Sequence, residues 1–327
     1  MSSTDLTLPV CYFGKLPSQG DFLKGGENRP LLALLDQWVT TGLEALTEDV
    51  AWKSLYDSAR PVDFAFMGSR NRSVIGGRLV PSEDASGRRF PFMAAVTFEV
   101  DHPLGFVARC PQSLSRLWSR LGRELTAAKA ASDPTSVLAE LISEPIELTT
   151  NPDVLQATFV DFLEAQTVGS LQSLLNASGH QVDVRRVLIG LGTLMKPVRE
   201  SDAPKMGKGL QLPLPVDPMY RPLVATFWLD LISGFLDRAN LDLMLLQRIE
   251  PVPILTLGFQ GISARGVYGV FDPRSEAQDT VLLDDPDWIE DQIHGNYALK
   301  KMSSYTSQNG LSLKTARSSF LETFLGA

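Results

Sequence analysis

Phe92-Met93-Ala94-Ala95-Val96-Thr97-Phe98-Glu99-Val100 is the stretch that decides how this chain folds. Phe92, Ala94, Val96, Phe98 and Val100 alternate with Met93, Ala95, Thr97 and Glu99, and the second set grows polar toward its end. Successive side chains of a strand face opposite sides, so the pattern describes an antiparallel strand with one face in a core. Working outward, residues 62–67 and 73–80 read as strands joined to it by short links, which favours meander-like pairing. Upstream, Leu31, Leu34, Leu35, Trp38, Val39, Leu43 and Leu46 recur at spacings of three and four. They predict a helix over residues 30–47 with Pro30 in its first turn. Downstream, Leu114, Leu117, Trp118, Leu121 and Leu125 make one apolar helix face, while Arg116, Arg120 and Arg123 share another. The chain is therefore expected to be an α/β protein of the α+β type, a mostly antiparallel central sheet flanked by helices. The strand at 92–100 belongs near the centre of its N-terminal unit.

A length of 327 residues favours about two domains. The first is expected at 1–145; the second, at 146–327, is helical or mixed, carries a short strand pair, and can pack with the first as one unit. Within the second, residues 154–166, 171–175 and 223–236 read as helices. Residues 182–191 read as a strand, and 254–259 with 266–271 as the strand pair. A Pro-, Gly- and Lys-bearing loop at 196–218 is the best candidate for a mobile segment. The final fifty residues read as two helices separated by the polar run at 303–310.

A net charge of −8 disfavours generic nucleic-acid binding, which needs clustered positive charge. Cys11 and Cys110 lack a CxxC spacing and read as reduced, partly buried thiols. No basic, then apolar, leader opens the chain, and the longest apolar run, 224–236, contains Asp230. A cytoplasmic protein without direct membrane insertion is the expectation.

Two segments stand out by their turn chemistry. One is Gly14-Lys15-Leu16-Pro17-Ser18-Gln19-Gly20-Asp21-Phe22, in which Gly14 and Gly20 permit φ > 0. The other is Pro81-Ser82-Glu83-Asp84-Ala85-Ser86-Gly87-Arg88-Arg89-Phe90-Pro91, leading into the strand at 92. Arg88 is placed to pair with Asp84 or Asp21, and Lys15, Asp21 and Arg88 can form a recognition edge. Gly14-Lys15 is not a Walker sequence, since Pro9 stands where the first glycine belongs and Leu16 follows the lysine. Ser18 misses the G-x-S-x-G elbow because Leu16 replaces a glycine, and reads as a turn residue bonding its own backbone. His102, His180 and His294 each stand alone in sequence. The acids at 284–291 lack the calcium-loop glycine and terminal glutamate, and instead suggest Asp284 or Asp285 capping a helix begun by Pro286. No catalytic residue, metal or cofactor is assigned. The arginine face (Arg116, Arg120, Arg123) is a secondary candidate for docking an acidic partner.

The two segments, with the Trp38 helix between them, resemble the TagF (ImpM) family, accessory proteins of the bacterial type VI secretion system. Gly14, Lys15, Pro17, Gly20, Asp21 and Phe22 carry the likeness in the first. Pro81, Ser82, Asp84, Gly87, Arg88, Phe90 and Pro91 carry it in the second. It is strong over about residues 8–130 and perceptible at Phe227-Trp228-Leu229-Asp230, whereas 145–215 and the tail after 275 look longer than the family pattern. The resemblance implies a non-catalytic cytoplasmic regulator that represses assembly of the secretion machine after translation. It would act by protein contact with a cytoplasmic component of the system, a forkhead-associated scaffold among the candidates. The family's counterpart in signalling is a Ser/Thr kinase and phosphatase pair, to which some members are fused; no phosphatase-like segment occurs here. The competing reading is a small hydrolase or nucleotide-binding enzyme in an unfamiliar fold.

Overall fold

The alternating stretch becomes a strand, Phe92–Glu99, with an antiparallel neighbour on each side. The computed structural model describes residues 5–200 and 206–326. Its strands are β1 (Asp5–Leu8), β2 (Cys11–Gly14), β3 (Leu23–Gly25), β4 (Val62–Gly68), β5 (Ser73–Val80), β6 (Phe92–Glu99), β7 (Ile146–Thr149), β8 (Gly209–Pro213), β9 (Asp242–Arg248), β10 (Ile254–Gly258) and β11 (Thr280–Leu282). Nine of them form one sheet in the order β11-β8-β10-β9-β4-β5-β6-β2-β3. Only the β11–β8 pair in it is parallel. β1 and β7 pair separately and antiparallel. β9 lies along β4 from Val62 opposite Arg248 to Gly68 opposite Asp242, so a single sheet runs through both halves of the chain.

Helices cover both faces, which is why β6 is buried on both sides through Val96. The first helices are α1 (Arg29–Thr47), α2 (Trp52–Ser58) and α3 (Pro103–Ala130), followed by α4 (Thr135–Ser143), α5 (Pro152–Ala165), α6 (Val168–Asn176) and α7 (Val184–Glu200). After them come α8 (Arg221–Ser233), α9 (Ala264–Phe271), α10 (Pro273–Asp279), α11 (Ile289–Gly295), α12 (Tyr297–Thr306) and α13 (Leu313–Leu325). Phe92, Ala94, Val96 and Phe98 share one core with Leu114, Leu117 and Leu121 of α3. Met93 and Ala95 point the other way, into a second core with Leu31, Leu35 and Trp38 of α1 and Val267 and Phe271 of α9. Asn28 caps α1 by accepting from the Leu31 amide, and Pro30 occupies its first turn.

Five expectations for the second half are corrected. Residues 182–191 are not a strand; from Val184 on they belong to α7. β-branched residues suggest alternation there, but Val184, Val187, Leu188, Leu191, Met195 and Val198 are all buried at spacings of one, three and four. The 196–218 loop holds β8, whose Leu210 and Leu212 are buried between β10 and β11; its residues 201–205 lie outside the described residues. Residues 266–271 belong to α9, capped by Ser263, so β10 pairs with β9 and β8 instead. The last fifty residues carry three helices, α12 absorbing much of the supposed polar loop. α11 starts at Ile289, not Pro286, and Asp285 pairs with Arg186 (2.7 Å) instead of capping it. Glu290 joins the same cluster through Arg185 and through Arg186, 2.7 Å away.

One buried charge cluster ties the helices of the larger core. Asp230 of α8, buried, accepts from Arg109 Nη1 of α3 (2.9 Å) and from Arg317 Nε of α13. Arg109 also donates to Gln156 Oε1 of α5 (2.7 Å) and lies over the Phe159 ring. Two guanidinium groups on one carboxylate leave none of the three charges unpaired, the condition under which buried ions are tolerated.

Candidate functional site

The two signature loops leave neighbouring strands. β2 and β6 are paired with Phe13 opposite Met93, so the loop after Gly14 and the loop before Phe92 start side by side. Gly14 has φ +134°, and a Cβ there would lie 2.1 Å from the Pro91 carbonyl oxygen. Only glycine permits that approach of one backbone to the other. Gly20, by contrast, has no positive φ and faces open space, so of the two glycines only Gly14 uses the freedom that both have. Gly87 does adopt it (φ +78°), where the Gly87 amide donates to the Asp84 carbonyl and turns the second loop back.

Asp84 is the centre of the arrangement. Its buried carboxylate accepts from Lys15 Nζ (3.0 Å), Arg88 Nε (2.7 Å), Ser86 Oγ (2.7 Å) and the amides of Ser86 and Arg88. The Ser86 hydroxyl first, then Lys15 and the two amides, hold its pKa well below the usual carboxylate range against the opposing cost of burial. A lowered carboxyl pKa favours the fold above the unfolded value near 4, and that contribution disappears only in strong acid. Across the loops, Arg88 Nη2 donates to the Gly20 carbonyl (2.8 Å) and the Ala85 amide to the Gln19 carbonyl (2.8 Å).

Apolar groups complete the junction. Phe22 stacks on Phe13 and meets the edge of Phe90, with Lys15 Nζ 4.8 Å from the Phe22 ring centre. Phe90 and Pro91 are buried, while Pro17, Gly20, Asp21, Phe22 and Gly87 are exposed. Arg88 keeps 61% of its side chain in solvent while bonded to Asp84, so one residue both ties the loops and presents charge. Asp21 takes no part in that pairing; its carboxylate accepts from the Phe22 amide. Ser18 does not bond its own backbone: its hydroxyl has no hydrogen-bond partner among the described residues, and the turn closes through the Gln19 amide to the Leu16 carbonyl.

Sequence reasoning missed Tyr56 and Asp57 on α2. The Tyr56 hydroxyl donates to the Ser82 carbonyl and accepts from the Ser82 amide, pinning the second loop from behind. Burial pushes the Tyr56 phenol far above its ordinary pKa. Asp57 accepts both arms of Arg89 at 2.7 Å. Beside them lies a cleft of about 460 Å³ lined by Pro17, Arg60, Glu83, Arg89 and Lys129. Tyr56 sits in the short run Trp52-Lys53-Ser54-Leu55-Tyr56-Asp57, and nothing in that pattern announces a contact 26 residues on.

The arginine face lies elsewhere, on α3, over a separate cavity of about 530 Å³ that Arg78, Arg221 and Asp63 also line. Arg120 is paired with Glu124 (2.7 Å) and donates to the Pro145 carbonyl, whereas Arg116 and Arg123 are exposed. Asp63 is buried on Arg78 Nη1 (2.6 Å). Burial is the largest influence on Asp63 and, against the opposing pull of Arg78, its carboxyl is pushed up to about 6. The folded value exceeds the unfolded one near 4, so stability from this group is full below about pH 4 and falls as pH rises toward 6. Arg78→Ala raises that carboxyl further, and is expected to cost about 2 kcal/mol at pH 8 and clearly less at pH 5, where Asp63 takes up a proton. Urea unfolding at the two pH values checks this; an equal cost at both would reduce the role of Arg78 to packing.

Among the described residues no three His, Cys, Asp or Glu side chains are grouped to hold a metal ion, and no helix is long and apolar enough to cross a membrane. Cys11 and Cys110 are free and buried, and burial raises the Cys110 thiol far above its usual pKa.

Comparisons with known proteins agree with the loops. Among curated proteins none matches this chain. A solved structure, that of PA0076 from Pseudomonas aeruginosa PAO1, is 21% identical over 42% of this chain and 63% of its own, with a TM-score of 0.36. The present chain thus spans less than two thirds of that relative's length. The family model described as the TagF N-terminal domain, type VI secretion system-associated, matches residues 11–144, a span that holds both signature loops, α1 and the whole of α3. Residues 11–144 are thus similar to the TagF N-terminal domain, a domain described as type VI secretion system-associated.

Proposed function

We propose that this protein is a non-catalytic accessory regulator of the type VI secretion system, acting in the cytoplasm after translation and by protein contact to repress assembly. The family match over residues 11–144 carries the reading, because it spans both loops that meet at Asp84. The exposed rim of that junction, Pro17, Asp21, Phe22 and Arg88, offers an aromatic ring and a guanidinium group on a stiff base, the combination that dominates protein interfaces. The partner is a cytoplasmic component of the secretion machine, a forkhead-associated scaffold being the first candidate to try.

Deleting the gene is expected to raise basal secretion, and overproduction to silence it, with transcript levels unchanged. Affinity capture from a secretion-competent bacterium identifies the partner. Arg88→Glu is expected to weaken capture at least tenfold, about 1.4 kcal/mol, while Ser18→Ala leaves it intact. Melting curves of the same variants separate a lost contact from a loosened loop. A folded Arg88→Glu protein that still binds and represses would make the loops purely structural.

A further inference from the structure

The cavity between α3, the β4–β5–β9 face of the sheet and the start of α8 carries more positive charge than the fold needs. Five arginines line it (Arg78, Arg116, Arg120, Arg123 and Arg221) and Asp63 is the one acid among its lining residues. This concentration occurs in a chain whose net charge is −8. Arg116, Arg120 and Arg123 fall at intervals of four and three, so the helix sets them in one row along its side. Arg78 comes from the neighbouring strand and Arg221 from the first turn of α8, so three separate elements converge on one space.

These cations are incompletely satisfied. Arg116 and Arg123 make no hydrogen bond or ion pair among the described residues, in contrast to Arg120 and Arg78, which hold Glu124 and Asp63. Arg78 Nε and Arg120 Nη2 are shielded from water and have no hydrogen-bond partner among the described residues, although Arg120 Nη2 lies 3.9 Å from Glu144 Oε2 in a long ion pair. A shielded donor without an acceptor costs free energy, and a row of like charges repels itself, so an anion bound among these groups would relieve both. Arg221 donates to the Pro215 and Val216 carbonyls, which fixes its stem at the rim.

Shape narrows the class of anion. At about 530 Å³ the space falls within the range of small-molecule pockets. Planar guanidinium forks match the oxygens of phosphates and carboxylates in pairs, and linked phosphate groups supply enough oxygens to engage three such forks at once. The wall is stiff, since Trp118 is buried with its indole donating to the Phe64 carbonyl. Pro111, Pro222 and Ile249 add an apolar side against which a ring could rest.

We propose that this cavity is a binding site for a small molecule bearing two or more linked phosphate groups, held chiefly by Arg116, Arg120 and Arg123. The site is separate from the signature loops, and it does not depend on the repressor reading. Its sources are free polyphosphate and nucleotides, which share that chemistry.

Isothermal titration of the full chain with sodium pyrophosphate and with sodium tripolyphosphate, in 150 mM salt as estimated for physiological screening, tests it. Saturable one-to-one binding is expected, weakened at least tenfold by the double substitution Arg116→Ala/Arg123→Ala. Both residues are exposed, so the double variant should melt like the parent without ligand, and Lys300→Ala on α12 serves as a remote control. Tighter binding of ADP or GDP than of pyrophosphate assigns the site to a nucleotide, and equal or weaker binding to the phosphate groups alone; either upholds the proposal. It is overturned by absent binding, by unchanged affinity in the double variant, or by sulfate binding as tightly as pyrophosphate, which would mean an adventitious ion only. Displacement of pyrophosphate by an equal concentration of an oligoglutamate peptide would overturn it too, by making the face a surface for acidic protein.

Discussion

Gly14→Ala is expected to lower the unfolding free energy by about 3 kcal/mol or more, combining a strained φ with an overpacked contact. The missing Cβ would sit 2.1 Å from the Pro91 carbonyl and 2.7 Å from Phe92 Cα, both backbone atoms inside a paired strand entry. A flexible side chain could swing aside; these atoms move only if β2 and β6 part, and Phe13 opposite Met93 holds them together. The same movement would separate Lys15 from Asp84, so partner capture should fall with stability. Gly20→Ala, which meets nothing within 4 Å, supplies the contrast and should be close to neutral. Urea denaturation of the two variants decides the matter, and a Gly14→Ala cost below about 1 kcal/mol would mean the loops yield readily.

Asp230→Ala should cost about as much again, roughly 3–5 kcal/mol, because it removes the acceptor shared by two arginines, one of them buried. Arg109 keeps Gln156 and the Phe159 face, but Arg317 loses its partner on α8. The consequence is local to the packing of α3, α8 and α13, and the signature loops should retain their geometry. Chemical denaturation gives the size of the loss. A cost under about 1 kcal/mol would show that the surrounding helices relax enough to hydrate the cluster.

The first half of the fold was legible because its signals are local. The alternation at 92–100, the three-four spacing from Leu31 to Leu46 and Pro30 each specify an element without reference to anything distant, and β6, α1 and β5 follow them. Residues 182–191 misled because Val182, Val184, Val187 and Ile189 are β-branched and every residue from Val187 to Gly192 is buried, which hides the helical period there. β8 was hidden for a different reason: it is five residues long, begins with glycine and ends with proline, and is a strand only because β10 and β11 lie beside it. At the site, the turn residues and the Arg88–Asp84 proximity were readable from glycine and charge spacing. The buried Lys15, the Tyr56 clasp and the gathering of Arg78 and Arg221 with the α3 row were not, since each joins residues from elements whose meeting depends on the whole sheet.

The pairing of β4 with β9 sets a schedule for synthesis. Val62 meets Arg248 and Gly68 meets Asp242, so the partner of β4 leaves the ribosome between 174 and 186 residues after it. At a translation rate of about 5–20 residues per second, the wait is roughly 10–40 s. Throughout it, β5 and β6 can already zip onto one side of β4, while its other edge, with Phe64 and Phe66 along the strand, stays open to any passing strand. A nascent chain of this protein therefore carries a sticky edge for most of its production, and holdase chaperones have their longest opportunity to act at the centre of the finished sheet.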